Sequence, residues 1–172
     1  MNKKELTITG RNASVDFVGH AKHVPAKVDT GADSSSVWAT NIRVDEHGVL
    51  RFTLFDEGSK WYTGEVIERP HYNVAMVRSA SGHEQIRYRV EFTMRVEGRR
   101  IRAVFNLSDR SRNKFPVLIG RRSLSGKFIV DVSKARYRES GKVFEMENGL
   151  LNRELTKDPY EFYRKYYGKD IQ

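Results

Sequence analysis

Short alternations of apolar and polar residues run along most of the chain. They occupy Leu6 to Ile8, Val15 to Val18, Val24 to Val28, Val37 to Trp38, Val49 to Phe55, Trp61 to Ile67 and Tyr72 to Val77. A period of two places every second side chain on one face, which predicts half-buried strands. The polar loop Ser79 to Glu84 separates these from a longer pair, Ile86 to Val96 and Arg100 to Leu107. Glu97-Gly98 lies between the two and is a tight-turn signal, so they are read as a hairpin. Short strands punctuated by Gly, Asn and Asp predict an all-β barrel or closed sheet.

Beyond Ser133 the pattern changes, and Lys134 to Gly141 reads as a linker. Farther on, Asp158 is placed to cap a helix, Pro159 suits its first turn and Gly168 lies past its end. The expected organisation is one domain over residues 1–137 and a C-terminal extension over 138–172 carrying a short tail helix.

With 172 residues, 38% hydrophobic and 11% aromatic, the chain has enough apolar material for a core without covalent staples. It contains no cysteine, which excludes disulfides and thiolate metal sites. Met1 to Ile8 lacks the continuous apolar stretch of a signal peptide, and no apolar run reaches membrane-spanning length. The expectation is a soluble, cytoplasmic protein with no membrane partner.

Lysine and arginine number 31 against 22 aspartates and glutamates, a formal charge of +9. Such an excess attracts polyanions: nucleic acid, anionic membrane or an acidic peptide. The cations Arg95, Arg99, Arg100, Arg102, Arg110, Arg112, Lys114, Arg121 and Arg122 are spread through predicted strands and loops. Taken singly each suits a solvated face; together they point to an acidic partner.

The densest chemical signal is Lys27-Val28-Asp29-Thr30-Gly31-Ala32-Asp33-Ser34-Ser35-Ser36-Val37. An apolar approach meets an aspartate, a hydroxyl residue, a glycine and a small residue, then leaves through serines into Val37 and Trp38. That predicts a strand, a sharp turn with one carboxylate at its tip, and a returning strand. Downstream, Phe115-Pro116-Val117-Leu118-Ile119-Gly120-Arg121 is an apolar run ending in glycine and arginine.

Asp29-Thr30-Gly31-Ala32 followed by Leu118-Ile119-Gly120-Arg121 resembles the retropepsin-like aspartic proteases. Asn106 to Arg112 and Leu118 to Asp131 look in particular like the bacterial and archaeal retropepsin-like family commonly labelled ATP-dependent zinc proteases. The resemblance spans roughly residues 5 to 137 and leaves out the tail. It implies a retropepsin-like closed barrel, with Leu118, Ile119 and Gly120 crossing behind the catalytic loop and a short helical turn, Arg121 to Leu124, after Gly120. It also implies that Asp29 is catalytic. Thr30 would hydrogen-bond across a dimer axis, Gly31 would let substrate backbone approach, and Ala32 would pack against the second motif. Asp33 and Arg121 would form a partly buried structural ion pair, whose loss costs on the order of 3 to 5 kcal/mol.

Aspartic proteolysis uses two carboxylates sharing one proton around a water. This chain carries a single Asp-Thr-Gly. The second carboxylate must therefore come from another subunit, which makes the expected enzyme a homodimer with an isologous interface. Retropepsins close the site with a glycine-containing flap. Two segments are candidates, the turn Asp56 to Lys60 and the stretch from Arg69 to Gly82.

The zinc label finds no support in these residues. His20 and His23 lack the acidic partner and helical spacing of a His-Glu-x-x-His site, and His47, His71 and His83 sit in separate turns. No phosphate-cradling Gly-x-x-x-x-Gly-Lys-Ser/Thr loop is present either. Neither a metal nor any other cofactor is expected.

Members of the family are associated with glutamate-ligating ATP-grasp enzymes, which implies acidic or glutamylated peptides as substrates. The expected function is therefore that of an aspartic endopeptidase, with nucleic acid disfavoured as a partner. The alternative is a basic β-barrel without enzymatic activity that binds nucleic acid or an acidic protein, using residues such as Tyr88, Phe92 and Phe105.

Overall fold

The computed structural model describes residues 5–78, 82–138 and 141–168, with side chains from 146 onward in the last segment. The chain divides into two compact units, Met1–Tyr137 and Arg138–Gln172.

In the first unit, six of the described strands close a barrel. They are β2 (Asn12–Phe17), β3 (Ala21–Asp29), β4 (Ser35–Val44), β8 (Glu84–Val96), β9 (Arg99–Ser108) and β10 (Val117–Gly120). The hydrogen-bonded order is β10-β3-β2-β8-β9-β4, and β10 closes the ring by pairing with β4 as well as β3. Closure leaves no edge within this ring, and the apolar alternation supplies the interior. On β8 the residues Val90, Phe92, Met94 and Val96 point inward, and on β9 Ile101, Ala103, Phe105 and Leu107 do so. Phe17, Phe92 and Phe105 meet edge to face at 5.2 to 6.0 Å between ring centroids, the preferred aromatic geometry.

The β8–β9 turn follows the sequence reading: Glu97 and Gly98 both have positive φ, 47° and 76°, as a two-residue hairpin of right-handed strands requires. Three further strands extend the barrel sheet. β5 (Leu50–Leu54) pairs with β4, β6 (Ile67–Arg69) pairs with β5, and β7 (Asn73–Arg78) pairs with the first half of β8. A separate parallel pair joins β1 (Thr7–Gly10) to β11 (Phe128–Asp131).

Several strand boundaries shift from the sequence expectation, two of them substantially. Trp61 to Ile67 is not a strand; the ladder starts only at Ile67, opposite Phe52. Trp61 and Tyr62 instead pack side-on against the core, Trp61 Nε1 donates to the His23 carbonyl, and Gly64 turns with φ of 73°. Their apolar character serves packing rather than a ladder. β4, in contrast, runs from Ser35 to Val44, far beyond Val37 and Trp38, because three neighbouring strands hold its polar residues in register.

After β10 comes the one-turn helix α1 (Arg121–Leu124). In the second unit, α3 (Pro159–Tyr166) starts where expected, with Asp158 Oδ1 accepting from the N–H groups of Tyr160 and Glu161. The 17-residue helix α2 (Gly141–Lys157) was not foreseen. Met146, Leu150, Leu151 and Leu155 carry its helical spacing, interrupted in sequence by Gly149. Lys165 and the Tyr166 hydroxyl both reach Glu154, joining the two helices. Among the described residues no helix is long and apolar enough to cross a membrane.

Candidate active site

Asp29 is the last residue of β3, where the chain leaves the barrel to turn back into β4. Its Oδ1 accepts from the backbone N–H groups of Gly31 and Ala32, both at 3.1 Å. That Asx turn fixes the carboxylate and the loop against each other. Oδ2 is left for other partners, with Lys27 Nζ 3.9 Å away, and the side chain is 30% exposed. A carboxylate held by one oxygen and open at the other suits proton transfer with a water. Thr30 is exposed on the same loop.

The loop is braced from behind by β10. Gly120 lies beside Asp29 in the parallel β3–β10 register, and Leu118 pairs with Ser36 on β4. Arg121 N–H donates to the Ala32 carbonyl at 2.8 Å and Arg122 N–H to the Asp33 carbonyl at 3.2 Å. Gly120 N–H donates to Ser35 Oγ at 3.0 Å, and Ser35 shares a 2.7 Å hydrogen bond with Ser123 of α1. Asn106 Nδ2 holds Ser34 Oγ at 2.8 Å. Every residue from Ala32 to Ser35 is thus tied to β9, β10 or α1. Sequence reading singled out Leu118, Ile119 and Gly120 but missed Ser35, Ser123 and Asn106, whose small polar side chains carry no distinctive spacing.

Arg121 Nη2 stands 3.0 Å from Asp33 Oδ1, and Arg122 Nε stands 2.9 Å from Oδ2. The side chains are 60% exposed at Arg121 and 46% at Asp33, so the expected partial burial is corrected to a solvent-screened pair. Its energetic weight falls to about 0–1 kcal/mol.

A cleft of about 530 Å³ adjoins the loop, lined on one side by Gly31 to Ser34. The opposite wall is the β7–β8 hairpin, through Ala75 to Arg78, Arg87 and Arg89, with Arg110 completing the floor. Of the two flap candidates, the Arg69 to Gly82 stretch is therefore the one that borders the Asp29 loop; its tip, Ser79, Ala80 and Ser81, lies outside the described residues. Asp56 to Lys60 folds into a turn, and Lys60 to Thr63 faces a different cavity, of about 810 Å³, with Asp16 to His23. That cavity contains none of the Asp29 loop.

Arg110 donates to the Phe115 carbonyl and to Ser36 Oγ. Burial, and after it the neighbouring Arg87, pushes its guanidinium down from the usual arginine range, while Asp29 opposes the shift. Arg87 is pushed down by burial alone. Among the histidines, His20 Nδ1 contacts Glu65 at 3.0 Å and His23 stands 3.9 Å from Asp16; neither adjoins Asp29. No group of three His, Asp or Glu side chains spaced for a metal ion occurs among the described residues.

The chain is similar in sequence and fold to known proteins. A crystal structure of a Legionella pneumophila protein of unknown function superimposes with a TM-score of 0.60 at 25% identity, covering 76% of this chain and 97% of that one. A probable alpha-L-glutamate ligase of Desulfotalea psychrophila is 24% identical over 120 residues, which are 63% of this chain. The match spans only 24% of that ligase's length. Residues 8–141 match the RimB-like family, described as the retropepsin-like aspartic endopeptidase RimB. Covering the whole barrel, the Asp29 loop and the strand that braces it, that match makes the chain a member of the RimB-like family of retropepsin-like aspartic endopeptidases.

Proposed function

We propose that the protein is an aspartic endopeptidase that works as a homodimer, with Asp29 of each subunit sharing one water. The observation that carries this reading is the state of Asp29: one oxygen is locked by two backbone N–H groups, and the other, with Lys27 Nζ 3.9 Å away, is left for a further partner where β3 enters the loop. In the reaction one Asp29 takes a proton from water as the oxygen attacks the peptide carbonyl carbon. The other, protonated, donates to the carbonyl oxygen. In the collapse of the gem-diol that results, the second carboxylate takes back a hydroxyl proton as the C–N bond breaks, and the amine leaves with the proton returned by the first carboxyl. The reaction written this way requires one proton shared between the two carboxyls at its start.

Asp33 does not serve as the second acid within one chain, since both its oxygens are engaged by arginines. A second copy brought in along a two-fold axis supplies the missing group. Surface chemistry agrees with such an interface: Ile8 and Ile129 pair across β1 and β11 yet are 52% and 51% exposed. Phe128 and Val130 of the same strand line a cavity with Thr30.

The substrate we assign is an acidic or glutamylated peptide. Support comes from the formal charge of +9 and from the arginines of the cleft. The glutamate ligase relative, in which the matching region is a minor part, agrees with a substrate made by adding glutamate. Incubating the wild type and Asp29→Asn with acidic and neutral peptides tests the reading. Cleavage by the wild type and none by the folded variant supports it; equal cleavage by both rejects it.

A further inference from the structure

Five arginines line the cleft beside the Asp29 loop: Arg78, Arg87, Arg89, Arg110 and Arg122. Two are neutralised, Arg78 by Glu84 and Arg122 by Asp33. The other three have only neutral hydrogen-bond partners or an open donor. Arg87 Nε donates to the Gln85 amide oxygen at 2.9 Å, and Arg110 donates to a carbonyl and a hydroxyl. Arg89 Nε is shielded from solvent and has no partner. Its cross-strand neighbour Asn106 is 2% exposed, and its Oδ1 is likewise unpartnered. Like charges gathered in one partly desolvated cleft are unfavourable until something negative enters.

We propose that Arg87, Arg89 and Arg110 form a carboxylate-binding subsite that selects acidic side chains next to the bond cut at Asp29. Cleavage at that bond rests on the function proposed above; the binding does not. A guanidinium presents a planar fork that matches a carboxylate with two parallel hydrogen bonds. Arg87 and Arg89 are two residues apart on β8, so they point to the same side of the strand about 6.6–6.8 Å apart along it. An extended peptide running beside β8 carries its alternate side chains at the same repeat. Successive acidic residues of one face thus meet successive arginines, and a substrate main-chain N–H supplies what Asn106 Oδ1 lacks. Arg110, whose guanidinium feels the Asp29 charge and is fixed by the Phe115 carbonyl and Ser36 Oγ, sets the end of the row toward the reacting carboxyl.

A carboxylate fits this cleft better than a nucleic-acid phosphate. No aromatic side chain lines it among the described residues, so bases have nothing to stack on.

Titration of full-length Asp29→Asn with hexaglutamate and hexaglutamine at low salt separates binding from cleavage. Hexaglutamate is expected to bind at least about tenfold more tightly. Adding Arg87→Gln and Arg89→Gln is expected to bring the two affinities to near parity with the circular dichroism spectrum unchanged. Should the double variant fail to fold, Arg89→Lys keeps the charge, loses the fork, and is expected to fall between the two. A glutamate preference undiminished by these substitutions overturns the subsite. So does tighter binding of a six-residue oligothymidylate that hexaglutamate cannot displace. Arginine-dependent binding without cleavage by the otherwise wild-type protein leaves the subsite standing and rejects the peptidase. Cleavage with no arginine dependence does the reverse.

Discussion

Gly120 and Ser34 are in backbone contact: a Cβ built on Gly120 would lie 2.5 Å from both the carbonyl carbon and the oxygen of Ser34. No rotamer change relieves this, because the obstacle is main chain, and the Ala32 carbonyl stands 3.0 Å away on the same side. Gly120 has an ordinary extended φ of −85°, so its requirement is space and not backbone freedom. The Gly120→Ala variant is expected to displace the Asp29 loop, lose cleavage, and unfold with a stability lower by roughly 1–3 kcal/mol or more. Urea denaturation alongside peptide turnover checks both.

Behind that contact, the buried Ser35 hydroxyl receives the Gly120 N–H and bonds Ser123. Ser35→Ala leaves a buried N–H without a partner and is expected to cost about 1–3 kcal/mol. Ser123→Ala keeps the Gly120 bond and is expected to cost about 1 kcal/mol or less. The order of the two thermal midpoints is the readout.

The Asp33 pairs with Arg121 and Arg122 are expected to matter little for folding. At 46% side-chain exposure the carboxylate is screened, so Asp33→Asn is expected to change stability by under about 1 kcal/mol. A denaturation curve at low and high salt tests this; a loss of several kcal/mol would restore the buried-pair expectation.

Acid stability has identifiable sources. Asp45 is held below the usual carboxylate range mainly by the Val49 N–H, Asp109 by the Ser111 N–H and hydroxyl, and Asp131 by the Ser133 hydroxyl and N–H. A depressed folded-state pKa means that the stabilisation is complete above the unfolded value, about 3.9, and is lost as pH falls through the folded value. Replacing all three by asparagine is therefore expected to flatten the fall in urea midpoint between about pH 5 and about pH 2. An unchanged slope would contradict the assignment.

The site was legible where chemistry is local. Asp29-Thr30-Gly31-Ala32 and Leu118-Ile119-Gly120 announce a turn and the strand behind it, and Glu97-Gly98 announces a hairpin, because glycine and short polar residues act over a few positions. Burial of the Asp33–Arg121 pair was misjudged because spacing says nothing about what covers a side chain. The arginine cleft was not legible as a unit. Arg89 and Arg110 are separated by the whole β8–β9 hairpin, and only the register that sets Arg89 opposite Asn106 brings that wall to the loop. Helix α2 was missed because Gly149 interrupts an otherwise amphipathic run, and Trp61 and Tyr62 imitate strand residues while serving as packing.

The central claim is that two Asp29 carboxyls from different chains act on one water, and subunit mixing tests it most directly. Wild type and Asp29→Asn are combined in equal amounts under conditions that allow exchange, and turnover of a glutamate peptide is measured per dimer. If both carboxyls are required, only wild-type dimers work and turnover falls to about one quarter of the wild-type value. Turnover of about one half, with mixed dimers fully active on their intact side, would mean that each Asp29 acts alone and would contradict the account.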